Sequence, residues 1–299
     1  MYGVVILNYN VAKDALIAAN SVVNCAEKED YRICIVDNAS SKGNEQEILK
    51  EGANAIPHTD LLFLNDNRGY AHGNNEGVKY LMGKYDLDYI VIMNPDVEIR
   101  VKGTIDRLLD AIDGTKYCGV QPIVWTQSMK GKKENLTSIR RVYSYADCLI
   151  ENNFLLKRTF KERSKHQVYY EQRPYKENIE FDVPSGAFFI VKTSLIKELG
   201  ELFDDRTFLY SEEIILGYRL KKLNLKMLFV PSEYVIHEGG KSIGSNSKKV
   251  TKFAVREELK STELYLRDYL KCNSIQIALV KVVKWIDYYI KTLSYKIKK

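Results

Sequence analysis

The sequence carries no Cys-x-x-Cys pair, no long apolar run, no internal repeat and no low-complexity segment. Its five cysteines, Cys25, Cys34, Cys118, Cys148 and Cys272, are odd in number and scattered, which argues against a disulfide framework and against a zinc site. They read as reduced and structural. Met1 leads directly into an apolar segment, with no basic leader and no small-residue cleavage site, so the expected location is the cytoplasm. Net positive charge is concentrated in one region. The formal net charge is +6, and from Lys271 onward seven lysines face one acid, Asp287, leaving the rest of the chain close to neutral. No nucleic-acid partner is expected from that distribution. What is present is 299 residues with 45% hydrophobic content, enough for one main domain with appendages.

Short β-branched apolar runs alternate with helical spacing through the first hundred residues, the pattern of βαβ units on a parallel sheet. Residues 3–7, 32–36, 61–64 and 89–93 read as strands covered on both faces, with helices over 14–24 and 74–82 between them. From Thr126 to Glu180 the pattern loosens into a basic, aromatic stretch that includes Arg140-Arg141 and Lys157-Arg158. Order returns over 181–191, followed by helices near 194–199 and 212–223 and a strand over 226–230.

In open α/β sheets a ligand sits beyond the carboxyl ends of the strands, and here all four run-ends are polar. They are Asn8-Tyr9-Asn10, Asp37-Asn38, Asn65 to Gly69, and Asn94-Pro95-Asp96. Asp96 closes a buried strand two residues after Asn94, a side chain able to contact ribose. A carboxylate so placed suits a hard divalent cation that bridges phosphate oxygens. The same three residues also suit a plain turn, with Pro95 presetting the backbone and Asp96 capping. Asp37 suits either a base or ribose contact or an Asx-turn with Asn38 and Ser40. The stretch Asn67 to Asn75 combines glycines with Arg68 ahead of a helix N-terminus, which favours anions. A simple Gly-rich connection is the alternative, and the spacing matches neither a Walker loop nor a dinucleotide fingerprint.

Taken in order, Val-Val-Ile-Leu-Asn-Tyr-Asn (4–10), Ile-Val-Asp-Asn-Ala-Ser (35–40), Asn-x-Gly-Tyr-Ala-x-Gly-Asn-Asn (67–75) and Met-Asn-Pro-Asp (93–96) resemble the inverting glycosyltransferases of family two. Pro-Ser-Gly-Ala (184–187), Phe-Leu-Tyr-Ser-Glu-Glu (208–213) and Val-Pro-x-x-x-Val-x-His (230–237) continue the resemblance, in the style of bacterial rhamnosyltransferases of surface polysaccharide synthesis. It implies an α/β fold of GT-A type: a Rossmann-like nucleotide-binding domain with a mostly parallel central sheet, followed by C-terminal amphipathic helices. The implied units are a catalytic domain over 1–240 and a helical, basic extension over 241–299. The catalytic domain divides into a nucleotide-binding half, 1–100, and an acceptor-binding half, 101–240, with 126–180 variable.

Carried over by position, the resemblance assigns Leu7, Asn8, Tyr9, Asp37, Asn67, Arg68, Asn75, Asn94 and Pro95 to a UDP- or dTDP-sugar. Asp96 and His237 go to Mn²⁺ or Mg²⁺, and Ser185, Gly186, Ala187 and Arg219 to the sugar and acceptor pocket, where Arg219 orients the acids. The general base falls at Glu213, preceded by Glu212; such a carboxylate takes the proton of an acceptor hydroxyl as it attacks the anomeric carbon, giving inversion. Two departures stand out. Glu213 replaces the family's Asp, and Ile215 stands where a further acid is expected. Either Glu213 works, or Glu212 serves, or activity is lost. The readings are thus an active enzyme acting on a lipid-linked saccharide, or a noncatalytic nucleotide-sugar-binding or scaffold subunit. A nucleotidyltransferase would need a Gly-rich N-terminal signature that is missing here.

In the tail, Ile275, Leu279, Val282, Ile286, Ile290, Leu293 and Ile297 recur at three-and-four spacing, with Lys281, Lys284, Lys291 and Lys298 opposite. This predicts an amphipathic basic helix that is too interrupted by Lys to span a bilayer. It is expected to lie in an anionic membrane interface at the inner face of the cell membrane, or to dock on the catalytic domain or on a second copy in a homodimer.

Overall fold

The computed structural model describes residues 1–128, 131–134, 139–169, 175–238 and 251–297. Strands β1 (Tyr2–Asn8), β2 (Tyr31–Asp37), β3 (Thr59–Phe63) and β4 (Tyr89–Met93) pair in parallel in the order β3-β2-β1-β4. Every residue of β1 is buried. The reason is alternation: Val4, Ile6, Ile33 and Ile35 face helices α1 (Ala12–Cys25) and α2 (Glu45–Ala53), while Val5, Leu7, Cys34 and Val36 face α3 (Tyr70–Lys84). The polar residues that end these strands therefore gather along one edge.

Beyond β4 the sheet becomes mixed. Strand β9 (Phe188–Lys192) lies antiparallel between β4 and β6 (Gly119–Ser128), and β6 runs parallel to β10 (Met227–His237). Strands β7 (Gly131–Glu134) and β8 (Ile179–Phe181) pair with β6 and β10, and β5 (Val97–Glu98) runs antiparallel to the end of β10. The two halves expected over 1–100 and 101–240 thus share one sheet. The last strand is longer than the sequence suggests. Its register with β6 breaks between Val230 and Tyr234, around a proline that cannot donate to a ladder, then resumes to His237.

Helices α2 and α4 (Thr104–Ile112) were not anticipated, nor was order within 126–180. That segment holds α5 (Tyr145–Glu151), α6 (Phe154–Thr159) and α7 (Lys161–Gln167), the first two started by side-chain caps. Ser144 and Asp147 cap reciprocally, and the Asn153 side chain accepts from the Leu155 and Leu156 amides. Residues 129–130, 135–138 and 170–174 of the segment lie outside the described residues, as does the expected boundary at 240.

After α8 (Thr193–Leu199) and α9 (Glu212–Lys222), the C-terminal extension forms α10 (Lys252–Leu264), a π-helical turn over Tyr265–Tyr269, and α11 (Ser274–Ile297). Tyr265, Ile277 and Val280 pack with Cys148 of α5 and Ile215 of α9 in a third core. The Tyr265 hydroxyl donates to the Tyr143 carbonyl at 2.6 Å, and Ser261 Oγ to the Leu209 carbonyl at 2.9 Å. All five thiols are free, and burial pushes Cys34 and Cys118 up to about 12. Among the described residues no helix is long and apolar enough to cross a membrane.

Candidate active site

A cavity of about 710 Å³ opens at the carboxyl edge of the sheet and gathers Leu7, Tyr9, Asn67, Asn94, Pro95, Ser185, Gly186, Ala187, Glu212, Glu213 and His237 from distant parts of the chain. Its far wall comes from α5, α6 and α10, through Lys157, Glu258 and Tyr265 among others.

The extension of β10 makes one pairing that sequence spacing alone could not give. Its last residue, His237, pairs with Val97, and the Glu238 amide donates to the Asp96 carbonyl at 2.9 Å. His237 Nε2 consequently lies 3.2 Å from Asp96 Oδ1. Two ligands on one hard divalent ion, with bonds of roughly 2.1 Å at right angles, lie roughly 3 Å apart. The pair therefore fits such an ion. It would cancel charge on a diphosphate oxygen.

On the opposite side, Tyr210 and Ser211 both hold left-handed backbone, at φ 72° and 68°, immediately before α9. Such strain in non-glycine residues persists only where the surroundings enforce it. It delivers two glutamates of unlike character to the helix start. Glu212 is 2% exposed, one of its oxygens has no hydrogen-bond partner, and burial followed by the charge of Glu213 holds its carboxyl well above the usual range. Burial thus favours its protonated form. The Glu213 carboxylate reaches the cavity with Arg140 Nη2 at 3.8 Å, while the same Nη2 donates to the Pro184 carbonyl at 3.3 Å.

The small-residue loop is equally constrained. A Cβ at Gly186 would fall on Glu213 Oε1, and the Tyr70 hydroxyl donates to the Gly186 carbonyl at 2.7 Å. Burial, then the charges of Glu213 and Glu212, keeps that phenol neutral. Gln121 accepts from the Ser185 amide at 2.7 Å. Gly69, at φ 102°, lies so close to the Phe208 backbone that no side chain fits.

Six expected residues lie off the cavity lining. Asp37 is fully buried beneath it, its carboxylate filled by Asn8 Nδ2 at 2.8 Å, Ser40 Oγ at 2.5 Å, the Ser40 amide and Gln46. It braces the strand ends as an Asx-turn, with Asn8 as its partner. Arg68 turns outward to Asp205 at 3.3 Å, and Asn75 bonds both backbone groups of Phe203. Arg219 does not orient the acids. It donates to the carbonyls of Leu199, Glu201 and Leu202, ending α8. The sixth, Asp96, sits just behind His237. Conversely, Arg140, Tyr70 and Gln121 went unassigned. Tyr70 stood inside a quoted motif, but nothing local marks an arginine 73 residues before Glu213 as its neighbour.

The model of the family described as glycosyl transferase family 2 matches residues 3–200. A rhamnosyltransferase, WbbL, of Escherichia coli K12 is 25% identical over 244 residues, covering 81% of this chain and 84% of its own. The N-acetylglucosaminyl-diphospho-decaprenol L-rhamnosyltransferase of Mycobacterium tuberculosis is 25% identical over 256 residues, covering 82% and 78%. Among solved structures, a mannosyltransferase of Pyrobaculum calidifontis in complex with GDP-Man and Mn²⁺ superposes with TM-score 0.57 at 11% identity, covering 94% of this chain and 69% of that one. GalNAc-T7 with UDP, GalNAc and Mn²⁺ gives 0.62 at 14%, covering 99% and 57%. These likenesses establish the GT-A fold.

Proposed function

The chain belongs to glycosyl transferase family 2 and is a glycosyltransferase, and we propose that it transfers a sugar with inversion from a UDP- or dTDP-sugar to a hydroxyl of a lipid-linked saccharide. The observation that carries this reading is the single cavity that holds Asn94 and His237 at one side and Glu213 at the other. Asp96 and His237 would hold Mn²⁺ or Mg²⁺, which supplies charge neutralisation at the diphosphate. Glu213 takes the acceptor hydroxyl proton. The hydroxyl oxygen forms its bond to the anomeric carbon as the bond to the diphosphate oxygen breaks, and that electron pair leaves with the nucleotide. Arg140 aims the base, and Tyr70 fixes the loop beneath the sugar.

The choice of acceptor is supported by the decaprenol-linked substrate named for the mycobacterial relative. A lipid-linked acceptor places the enzyme as a peripheral protein at the inner face of the membrane, in surface polysaccharide synthesis. Turnover of dTDP-rhamnose, UDP-galactose, UDP-glucose and UDP-N-acetylglucosamine by the purified protein with Mn²⁺ is the direct test. One of them is consumed, if only by slow hydrolysis, and the Asp96→Ala variant or EDTA weakens nucleotide binding. Binding indifferent to both removes the metal from the reading. The burial of Ile215 where the family carries an acid supports the alternative of a noncatalytic subunit, and complete inactivity of the wild type with intact nucleotide binding would favour it.

A further inference from the structure

We infer that α11 and α6 together form a bilayer-seating surface held by apolar contact, with Lys281 and Lys284 of α11 turned inward. The inference deepens the membrane reading above. Nine of the twelve large apolar side chains exposed among the described residues lie on α11, on α6 or on Phe160 just after it. Along α11, Ile275 is 81% exposed, and Leu279, Val282, Ile286, Tyr289 and Leu293 are about half exposed. The opposite face is the one that docks. Lys281 and Lys284 pair with Glu263 and Glu258 of α10, and Asp287 accepts from the Phe154 amide at 2.9 Å, tying the start of α6 to α11. A helix that docks on its own protein through Ile277, Val280 and paired charges leaves its remaining apolar face for another medium.

Three observations select a bilayer over a second copy of the chain. The apolar residues follow a helix of 24 residues, about 36 Å at 1.5 Å per residue. They form a ridge along one face of the helix, not a groove. The flank is basic: residues 154–167 carry five Lys and Arg against one acid, with Lys157, Arg158 and Lys161 exposed, complementary to anionic headgroups. Trp285 and Tyr289, ring centroids 5.9 Å apart, stand beside the ridge as aromatic side chains do at headgroup depth. Lys157, Glu258 and Tyr265 also line the far wall of the catalytic cavity, so a seated enzyme presents its acceptor end toward the lipid.

The test is flotation of the full chain with vesicles of phosphatidylcholine containing phosphatidylglycerol, at low and high salt, alongside light scattering. The wild type is expected to co-float and to remain bound in high salt. The combined variant Ile275→Ser, Leu279→Ser, Val282→Ser and Ile286→Ser is expected to lose at least tenfold in bound fraction at unchanged Tm. A wild type that stays in solution, flotation untouched by the four substitutions, or a dimer that becomes monomeric in the variant would each overturn the inference. Donor hydrolysis in vesicle-free solution separates the readings: a chain that floats but turns over no nucleotide sugar loses the catalytic assignment and keeps the surface.

Discussion

At the scale of single residues the two glutamates divide the work by environment. Both line the cavity, but Glu213 has a cation at 3.8 Å, whereas Glu212 is almost wholly buried. Glu213→Gln should lower kcat by roughly 10²–10⁴-fold, the usual worth of a general base, with nucleotide binding retained in calorimetry. Glu212→Gln should behave differently. A carboxyl whose folded pKa is raised binds its proton more tightly folded than unfolded, so its favourable contribution is complete below the ordinary carboxylate range and is lost as pH rises toward the folded value. An amide cannot ionise. The Tm of Glu212→Gln relative to wild type should therefore improve between pH 5 and pH 8, and a difference that narrows over that span would refute the raised carboxyl. Gly186→Ala places a methyl on the Glu213 carboxylate, and a flexible side chain can move aside. The expected outcome is a folded protein with a large loss in kcat and little change in donor affinity.

At the scale of elements, the site depends on how strands and helices end. Strand β10 overshoots its proline to deliver His237 beside Asp96, and α9 begins from two left-handed residues that aim both acids. Arg219, although only six residues from Glu213, serves the neighbouring α8 by filling three carbonyls. Arg219→Leu should cost about 1–3 kcal/mol in chemical denaturation, because three partly exposed carbonyls lose a charged donor. Its kcat/KM should stay near that of the wild type at a temperature where it remains folded. A fall in kcat at unchanged stability would restore the expected role in orienting the acids.

At the scale of the whole molecule, the C-terminal extension is part of the active-site wall. Tyr265 and Ser261 hold the Tyr143 and Leu209 carbonyls, Arg206 reaches Asp268 at 2.7 Å, and Tyr269 reaches Asp204 at 2.6 Å. Ile215, fully buried under these helices, packs where an acid would meet no water. Deleting 251–299 should therefore abolish turnover and lower Tm. Deleting α11 alone would uncover Ile277's partners, with a smaller loss of Tm and slower transfer chiefly to acceptors presented in vesicles. Equal damage from both truncations would show that α10 owes its place to α11.

The sequence by itself determined the parallel half of the sheet and the line of polar run-ends, because a strand buried on both faces must be apolar until it leaves the core. It also determined the membership of the cavity in large part, through motifs whose order survives, and the three-and-four periodicity of α11. Only the tertiary structure decided which of those residues face the cavity. Asp37 reads the same in sequence whether it meets a base or four donors from Asn8, Ser40 and Gln46, and Arg140 becomes a partner of Glu213 only when β8, β9 and α9 converge. The same holds for α11: periodicity fixes that there are two faces, but which one docks depends on acids at Glu258 and Glu263, contributed by another helix. Local pattern reports what a residue can bury, and long-range packing selects what it touches.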